Sequence, residues 1–172
     1  KDILVAQLDD LINHLSDDYN ISILSGDNNR KVQDFGKAIG VSESLGNQTP
    51  EDKLSYIKNT QKNNIVAFVG DGINDSPALK QADVGIASAH STQIAQSAGD
   101  IVIHKGGISK IVEIIELAKK SQSRINQNLF LAFIYNTLMI PIAITGNISP
   151  NMAALAMAAS SISVVLNSSR NL

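Results

Sequence analysis

Cysteine is absent, so disulfides and thiolate metal ligands cannot be built from these 172 residues. No basic patch studded with aromatics is present either, and with a net charge of −2 and a pI near 5.9 nucleic acid is excluded as a partner. The amino terminus, Lys1-Asp2-Ile3-Leu4, has no initiator Met, no long apolar core and no cleavage site of a signal peptide. The expectation is an internal stretch of a longer chain. Charge is the most telling absence. Residues 125–172 hold one charged side chain, Arg170, although 17% of the whole sequence is charged. A soluble part is therefore joined to an apolar part.

What is there centres on Val69-Gly70-Asp71-Gly72-Ile73-Asn74-Asp75-Ser76-Pro77-Ala78-Leu79. The apolar run Ile65-Val66-Ala67-Phe68-Val69 drives into it and reads as a buried strand. Asp71 and Asp75 sit four residues apart, with Gly72 and Asn74 between them. Carboxylate and amide oxygens clustered at the end of a strand suit Mg2+, a hard cation that takes oxygen ligands and keeps several waters. Ser76-Pro77 reads as the opening of a helix, Ser76 as its N-cap and Pro77 at the first helical position. The same letters are also ordinary turn material.

The rest of the first 103 residues alternates helix and strand. Ile3, Leu4, Leu8, Leu11, Ile12 and Leu15 predict an amphipathic helix over 3–18. Ile21-Ser22-Ile23-Leu24 predicts a short strand that ends at Ser25-Gly26-Asp27. A helix follows over 30–39 with Gly40 as its stop, and another starts at Thr49-Pro50-Glu51-Asp52-Lys53 and runs to about Lys62. A helix over 76–81, a strand over 83–87, a helix over 91–98 and a strand over 101–103 complete the series. Alternation of this kind predicts right-handed βαβ units and a parallel, doubly wound sheet with ligands at the carboxyl ends of its strands. Ser25-Gly26-Asp27 and Gly70-Asp71-Gly72 are both expected at that edge of one sheet. His14, His90 and His104 show no metal-ligand spacing.

From Ile108 to Arg124 the pattern is helical and basic, and no Gly or Pro interrupts it before the first apolar run. The uncharged run from Asn128 to Gly146 is long enough as a helix to cross about 30 Å of hydrocarbon. A turn at Asn147-Ile148-Ser149-Pro150 and a second uncharged run, rich in Ala and Ser, predict a membrane hairpin. Lys and Arg precede the first span, Arg170 follows the second, and the loop has neither, so both ends are expected in the cytoplasm. Pro141 is expected to kink the first span and free a carbonyl. Tyr135, Asn136, Met157, Ser160 and Ser161 are polar or sulfur-bearing groups within the spans. Interhelical hydrogen bonding explains them as well as an ion path does, in which Met sulfur favours a soft ion such as Cu(I).

Together these features resemble the carboxyl-terminal part of a heavy-metal P-type ATPase, and most closely the copper(I)-transporting ones. Gly70 to Leu79 is similar almost letter for letter to the family's magnesium-binding motif, with Ser76 in place of a more frequent Ala. Ser25-Gly26-Asp27 resembles its Thr-Gly-Asp element, and Pro50-Glu51-Asp52-Lys53 its conserved-lysine element. Gln127-Asn128-Leu129-Phe130, Tyr135-Asn136, Pro141, Met157-Ala158-Ala159-Ser160-Ser161 and Ser163 to Ser168 look like the last two spans of copper(I) pumps. The segment Gly85-Ile86-Ala87-Ser88-Ala89-His90-Ser91-Thr92 departs from the family by losing two glycines. The family's Asp-Lys-Thr-Gly-Thr phosphate acceptor, its Cys-Pro-Cys span, and its nucleotide-binding and amino-terminal metal-binding domains are not in these residues.

The resemblance implies an α/β fold: a partial haloacid dehalogenase-like (Rossmann-type, parallel-sheet) phosphorylation domain over 1–107 and a connecting helix over 108–127. Two transmembrane helices over 128–168 follow, at about 128–146 and 151–168. It implies ATP hydrolysis coupled to metal translocation in a longer protein, with these residues alone inactive. Asp71 and Asp75 would hold Mg2+, with Gly72 and Asn74 completing the cofactor-binding loop, and Lys53 would place a point charge against an aspartyl phosphate. Ser25 and the Gly26 amide would donate to its oxygens, and Asp27 would orient that loop or contact ATP. Tyr135, Asn136, Met157, Ser160 and Ser161 would line the path of Cu(I). Implied partners are the lipid bilayer, the rest of the pump and a copper chaperone; the implied location is a bacterial inner membrane with the soluble part cytoplasmic. The alternatives are a pump for Ag, Zn or Cd, a membrane-tethered phosphatase of the haloacid dehalogenase type, and an inactive remnant.

Overall fold

The computed structural model describes residues 8, 11–71, 73–88, 93–146 and 149–170. Contacts divide the chain into two compact units, Lys1–Val112 and Glu113–Leu172. The first unit is built from parallel βα repeats. Residues 11–15 are helical and bury Leu11, Ile12 and Leu15, the apolar face expected there. β1 (Ser22–Leu24) leads into α1 (Asn29–Ala38), which Asn28 caps by accepting from the Arg30 amide. Ile39 is followed by Gly40 at φ 75°, a left-handed conformation that glycine adopts without strain and that stops the helix. β2 (Glu43–Leu45) then pairs in parallel with β1.

α2 (Pro50–Thr60) begins as its letters require. Thr49 Oγ1 accepts from the Asp52 amide while the Asp52 carboxylate accepts from the Thr49 amide, a reciprocal capping box, and Pro50 opens the helix. The Thr49 hydroxyl also donates to the Asp52 carboxylate at 2.7 Å, and that bond first, then the one from the Thr49 amide, holds the Asp52 carboxyl below its ordinary range. β3 (Ala67–Gly70) passes through a 3-10 turn (Ile73–Asp75) into α3 (Ser76–Gln81). β4 (Val84–Ser88), α4 (Gln93–Ala98) and β5 (Ile101–Ile103) follow. Leu79 and Ala87 are fully buried where α3 covers β4, with Phe68, Ala98 and Val102 packed around them.

Three expectations need correction. The strands form two parallel sheets, β1-β2 and β3-β4-β5, and no strand among the described residues joins them. The two loops therefore lie at the carboxyl ends of two sheets rather than at one edge, since among the described residues β1 and β3 each have one side without a partner strand. Second, the strand expected over 65–69 starts two residues later, and Ile65 is 88% exposed. The Val66 amide is taken by the Asp83 carboxylate before any ladder begins, a bond that also keeps the Asp83 carboxyl below its ordinary range. Third, the residue before α3 is Asp75 and not Ser76. The 3-10 turn runs straight into the helix, so Ser76 is already helical and its buried hydroxyl has no hydrogen-bond partner. Sequence reasoning passed over β2, since Glu43-Ser44-Leu45 has one strongly apolar residue and neither period.

The second unit contains α5 (Lys110–Ile144) from Glu113 onward and α6 (Pro150–Ser169), which Ser149 caps. Helix α5 is one uninterrupted element that includes Pro141, whose missing amide leaves the Thr137 carbonyl without its i+4 donor. Both helices are long and apolar enough to cross a membrane, and their apolar windows are unburied. Half-buried positions 124, 128, 131, 132, 135 and 139 on α5, and 153, 156, 160, 163, 164 and 167 on α6, recur at helical spacing and mark one face on each.

Candidate functional site

The loop after β3 is shaped by the backbone's closeness to Asp75. A Cβ on Gly70 would lie 2.9 Å from Asp75 Cβ and 3.1 Å from its Oδ2, so only glycine leaves that carboxylate in place. Asp75 is buried, and its Oδ1 accepts from Lys53 Nζ at 2.7 Å, with the two side chains 12% and 14% exposed. The ion pair joins α2 to the 3-10 turn, across 22 residues of sequence. Asp71 and Asn74 are exposed beside it, and Gly72 lies outside the described residues. The expected pair of carboxylates is thus divided: Asp75 is committed to an ammonium, and Asp71 faces solvent.

The loop after β1 is held by backbone bonds. The Asp27 amide donates to Ser25 Oγ at 3.1 Å, the Asn47 amide donates to the Asp27 carbonyl at 2.6 Å, and the Gln48 amide donates to the Ser25 carbonyl at 2.9 Å. Asn47 sits at φ 55°, in the left-handed region that asparagine tolerates, which turns the chain toward Thr49 and α2. Ser25 Oγ accepts inside the loop, so its proton is free to point outward, beside the exposed Gly26 and the exposed Asp27 carboxylate. No described hydrogen bond links residues 25–27 to residues 70–75. The helix carrying Lys53 starts from the first loop and reaches the second.

Oxygen ligands around Asp71 and Asn74 have the chemistry Mg2+ takes. Among the described residues no group of three His, Cys, Asp or Glu side chains is placed to hold a metal ion. His90 lies outside the described residues, as do 89, 91 and 92 of the segment that departs from the family.

In the second unit, Tyr135 Oη and Ser163 Oγ are 3.3 Å apart across the helices. Ser160 shares the half-buried face with Ser163, whereas Asn136 and Ser161 are exposed and Met157 is 74% exposed on other faces. The five candidate ion-path residues are thus split between the helix–helix seam and outward faces. Sequence reasoning gave no role to a polar clasp near the charged ends. Arg124 Nη1 donates to the Asn167 carbonyl at 2.6 Å, Asn167 Nδ2 donates to Asn128 Oδ1 at 2.9 Å and to Gln127 Oε1 at 3.3 Å, and Asn128 Nδ2 donates to Ser168 Oγ at 2.8 Å. Its signal was present: Asn128 and Asn167 recur at the period of the half-buried face on their helices.

Known proteins share this combination. A family model described as haloacid dehalogenase-like hydrolase matches residues 2–83. A probable copper-exporting P-type ATPase V of Mycobacterium tuberculosis is 42% identical over 151 residues, which are 87% of this chain and 20% of that protein. A probable copper-importing P-type ATPase A of Enterococcus hirae is 44% identical over 151 residues, 86% of this chain and 21% of that protein. The solved structure of a zinc-transporting PIB-type ATPase in its E2.Pi state matches with a TM-score of 0.81 at 31% identity, covering 85% of this chain and 24% of that one. The chain spans about one fifth of the length of the curated relatives it matches. Over most of its residues this chain is thus homologous to about one fifth of copper-transporting P-type ATPases, with parallel βα repeats of the haloacid dehalogenase-like kind.

Proposed function

We propose that this chain supplies the Mg2+- and phosphate-binding half of a phosphorylation site, and two spans of an ion path, to an ATP-driven copper(I) pump. The observation that carries the reading is the Lys53–Asp75 ion pair at the carboxyl end of β3, with Asp71 exposed beside it. Phosphoryl transfer asks a protein for positioning and charge more than for covalent chemistry. Asp71 is the carboxylate left to hold Mg2+, directly and through waters, with Asn74 beside it; bound there, the ion would neutralise phosphate oxygens. Asp75 orients the Lys53 ammonium, which supplies a point charge to the same oxygens. Ser25 Oγ, already accepting within its loop, and the Gly26 amide donate hydrogen bonds. The acceptor aspartate comes from outside these residues, on a strand that the unpaired sides of β1 and β3 leave room for.

Residues 128–168 form the membrane hairpin in this reading, with basic residues 110–124 and Arg170 on the cytoplasmic side of a bacterial inner membrane. Helix α5, uninterrupted from Lys110, carries movement of the soluble part to the ion path. Tyr135, Asn136, Met157, Ser160 and Ser161 serve that path, Met157 by its soft sulfur. The outward faces of Asn136, Met157 and Ser161 are where the remaining spans of a pump would pack. Names of curated relatives support copper; a zinc transporter shares the fold at lower identity.

The test is a chimera in which this chain replaces the matching fifth of the Enterococcus hirae relative. Acid-stable phosphoenzyme and ATPase activity stimulated by Cu(I) and Ag(I) are expected, and Asp71→Ala abolishes both. Stimulation by Zn(II) or Cd(II) alone overturns the copper assignment, and absence of phosphoenzyme in an intact, membrane-inserted chimera overturns the reading itself.

A further inference from the structure

Ser22, Glu43 and Tyr56 form a hydrogen-bonded triangle that the proposed chemistry does not use. Ser22 Oγ donates to Glu43 Oε2 at 2.8 Å, Tyr56 Oη donates to the same carboxylate oxygen, and the two hydroxyl oxygens are 2.9 Å apart. Ser22 and Glu43 are direct partners in the β1–β2 register, while Tyr56 comes from α2. Burial, and then the Glu43 carboxylate, push the phenol above its ordinary range, so Tyr56 stays a donor at neutral pH.

The triangle has a mechanical consequence. Tyr56 lies three residues after Lys53, on the same side of α2. The start of α2 is already tied to the loop after β1 by the Asn47 and Gln48 amides. Helix α2 is therefore fastened to the β1–β2 sheet at two places, with Lys53 between them. From that held stretch Lys53 reaches Asp75, on the loop of the other sheet, and no strand among the described residues joins the two sheets. Rotation of α2 about its axis is the motion that would carry the ammonium away from Asp75. The Tyr56 hydrogen bonds oppose that rotation.

We propose that Tyr56, anchored on Glu43 and Ser22, is a positioning residue that sets the rotation of α2 and so aims the Lys53 ammonium; its consequence for turnover rests on the phosphoryl-transfer reading, while the aim itself does not. The rival is a surface cluster that only stabilises the unit. The two differ in what Tyr56→Phe exposes. Lysine amidination of the whole chain in detergent, read by mass spectrometry, reports the reach of solvent to Lys53, and amide exchange of β4 reports general loosening. Loss of a hydrogen bond of ordinary strength predicts that Lys53 reacts about fivefold faster in Tyr56→Phe and in Glu43→Leu. Glu43→Gln keeps the wild-type rate, because the amide carbonyl accepts from both hydroxyls, and β4 exchange is unchanged in all three.

An unchanged Lys53 rate in Tyr56→Phe overturns the proposal, and so does a rise matched by faster β4 exchange. In the chimera, Tyr56→Phe slows phosphoenzyme formation about fivefold with the KM for ATP unaltered; a change in KM alone, or none, counts against it. If the wild-type chimera forms no phosphoenzyme, the phosphoryl-transfer reading fails, and the labelling of Lys53 still decides the positioning role.

Discussion

Breaking the Lys53–Asp75 pair from each side in turn should give unequal costs. Two unit charges about 4 Å apart attract by about 4 kcal/mol at an effective dielectric near 20, and desolvating both offsets much of that. Removal of one partner is a different quantity, because the other charge stays where it was. Lys53→Met leaves the buried Asp75 carboxylate without its cation, at a cost of about 2–3 kcal/mol, the low end for buried pairs because the side chains are 14% and 12% exposed. Asp75→Asn keeps an oxygen for the ammonium to donate to, and its cost is about 1–2 kcal/mol. The double variant should cost less than the two together by about 1–2 kcal/mol, since the uncompensated charge is gone. A chain of two units has no single unfolding free energy, so the cycle is read from native-state amide exchange in α2 and α3. Costs that add to within about 0.5 kcal/mol would show the pair to be uncoupled and refute the reasoning.

Ser76→Ala deletes a buried hydroxyl that has no partner, and native-state amide exchange in α3 should show a gain of about 1 kcal/mol. Gly70→Ala drives a methyl to 2.9 Å from Asp75 Cβ, so it should cost about 1–3 kcal/mol and release Lys53 to chemical labelling. Burial, and then the bond to Glu43, raise the Tyr56 phenol above its ordinary value of 10.0, so its share of stability is complete below that pH and is lost as pH rises through the raised folded value. Alkaline melting curves should show that loss in the wild type and not in Tyr56→Phe. Asn167→Leu removes two side-chain hydrogen bonds between α5 and α6, and titration of the hairpin with a denaturing detergent should find it weaker by about 1 kcal/mol. A Gly-Ser linker placed at Ser121 should separate ATP hydrolysis from transport in the chimera, and undiminished transport would sink the coupling role of α5.

Most of the framework was legible because local chemistry decided it. The capping letters Thr49-Pro50-Glu51-Asp52 start α2 where they should, and two uncharged runs become two long helices. What was not legible depended on partners distant in sequence. Asp75 reads as a metal ligand by type, and nothing local announces that Lys53, 22 residues earlier, donates to its Oδ1. Glu43 and Tyr56 belong to no motif, and only the β1–β2 register brings them together at Ser22. Ser76 looks like an N-cap by type, yet a cap needs a non-helical backbone, and the preceding 3-10 turn had already committed that residue to the helix. The two-sheet arrangement escaped because strand alternation predicts parallel order without saying which strands touch.

The commitment of Asp75 to Lys53 changes what the loop after β3 can do. In the proposed reading, with Asp75 Oδ1 paired to Lys53 and Asp71 facing solvent, this loop would offer Mg2+ one unpaired carboxylate beside neutral oxygens, little charge to hold the ion tightly without help. The missing charge is what a phosphorylated acceptor brings. Lys53 meanwhile is held at a carboxylate, so its charge costs little to keep before phosphate arrives, and phosphate oxygens compete for it with Asp75 rather than with bulk water. In the proposed pump, metal and lysine would therefore engage fully only once the phosphoryl group is present. Such a loop binds most strongly where charge develops, and not at rest, which is the condition for speeding a transfer.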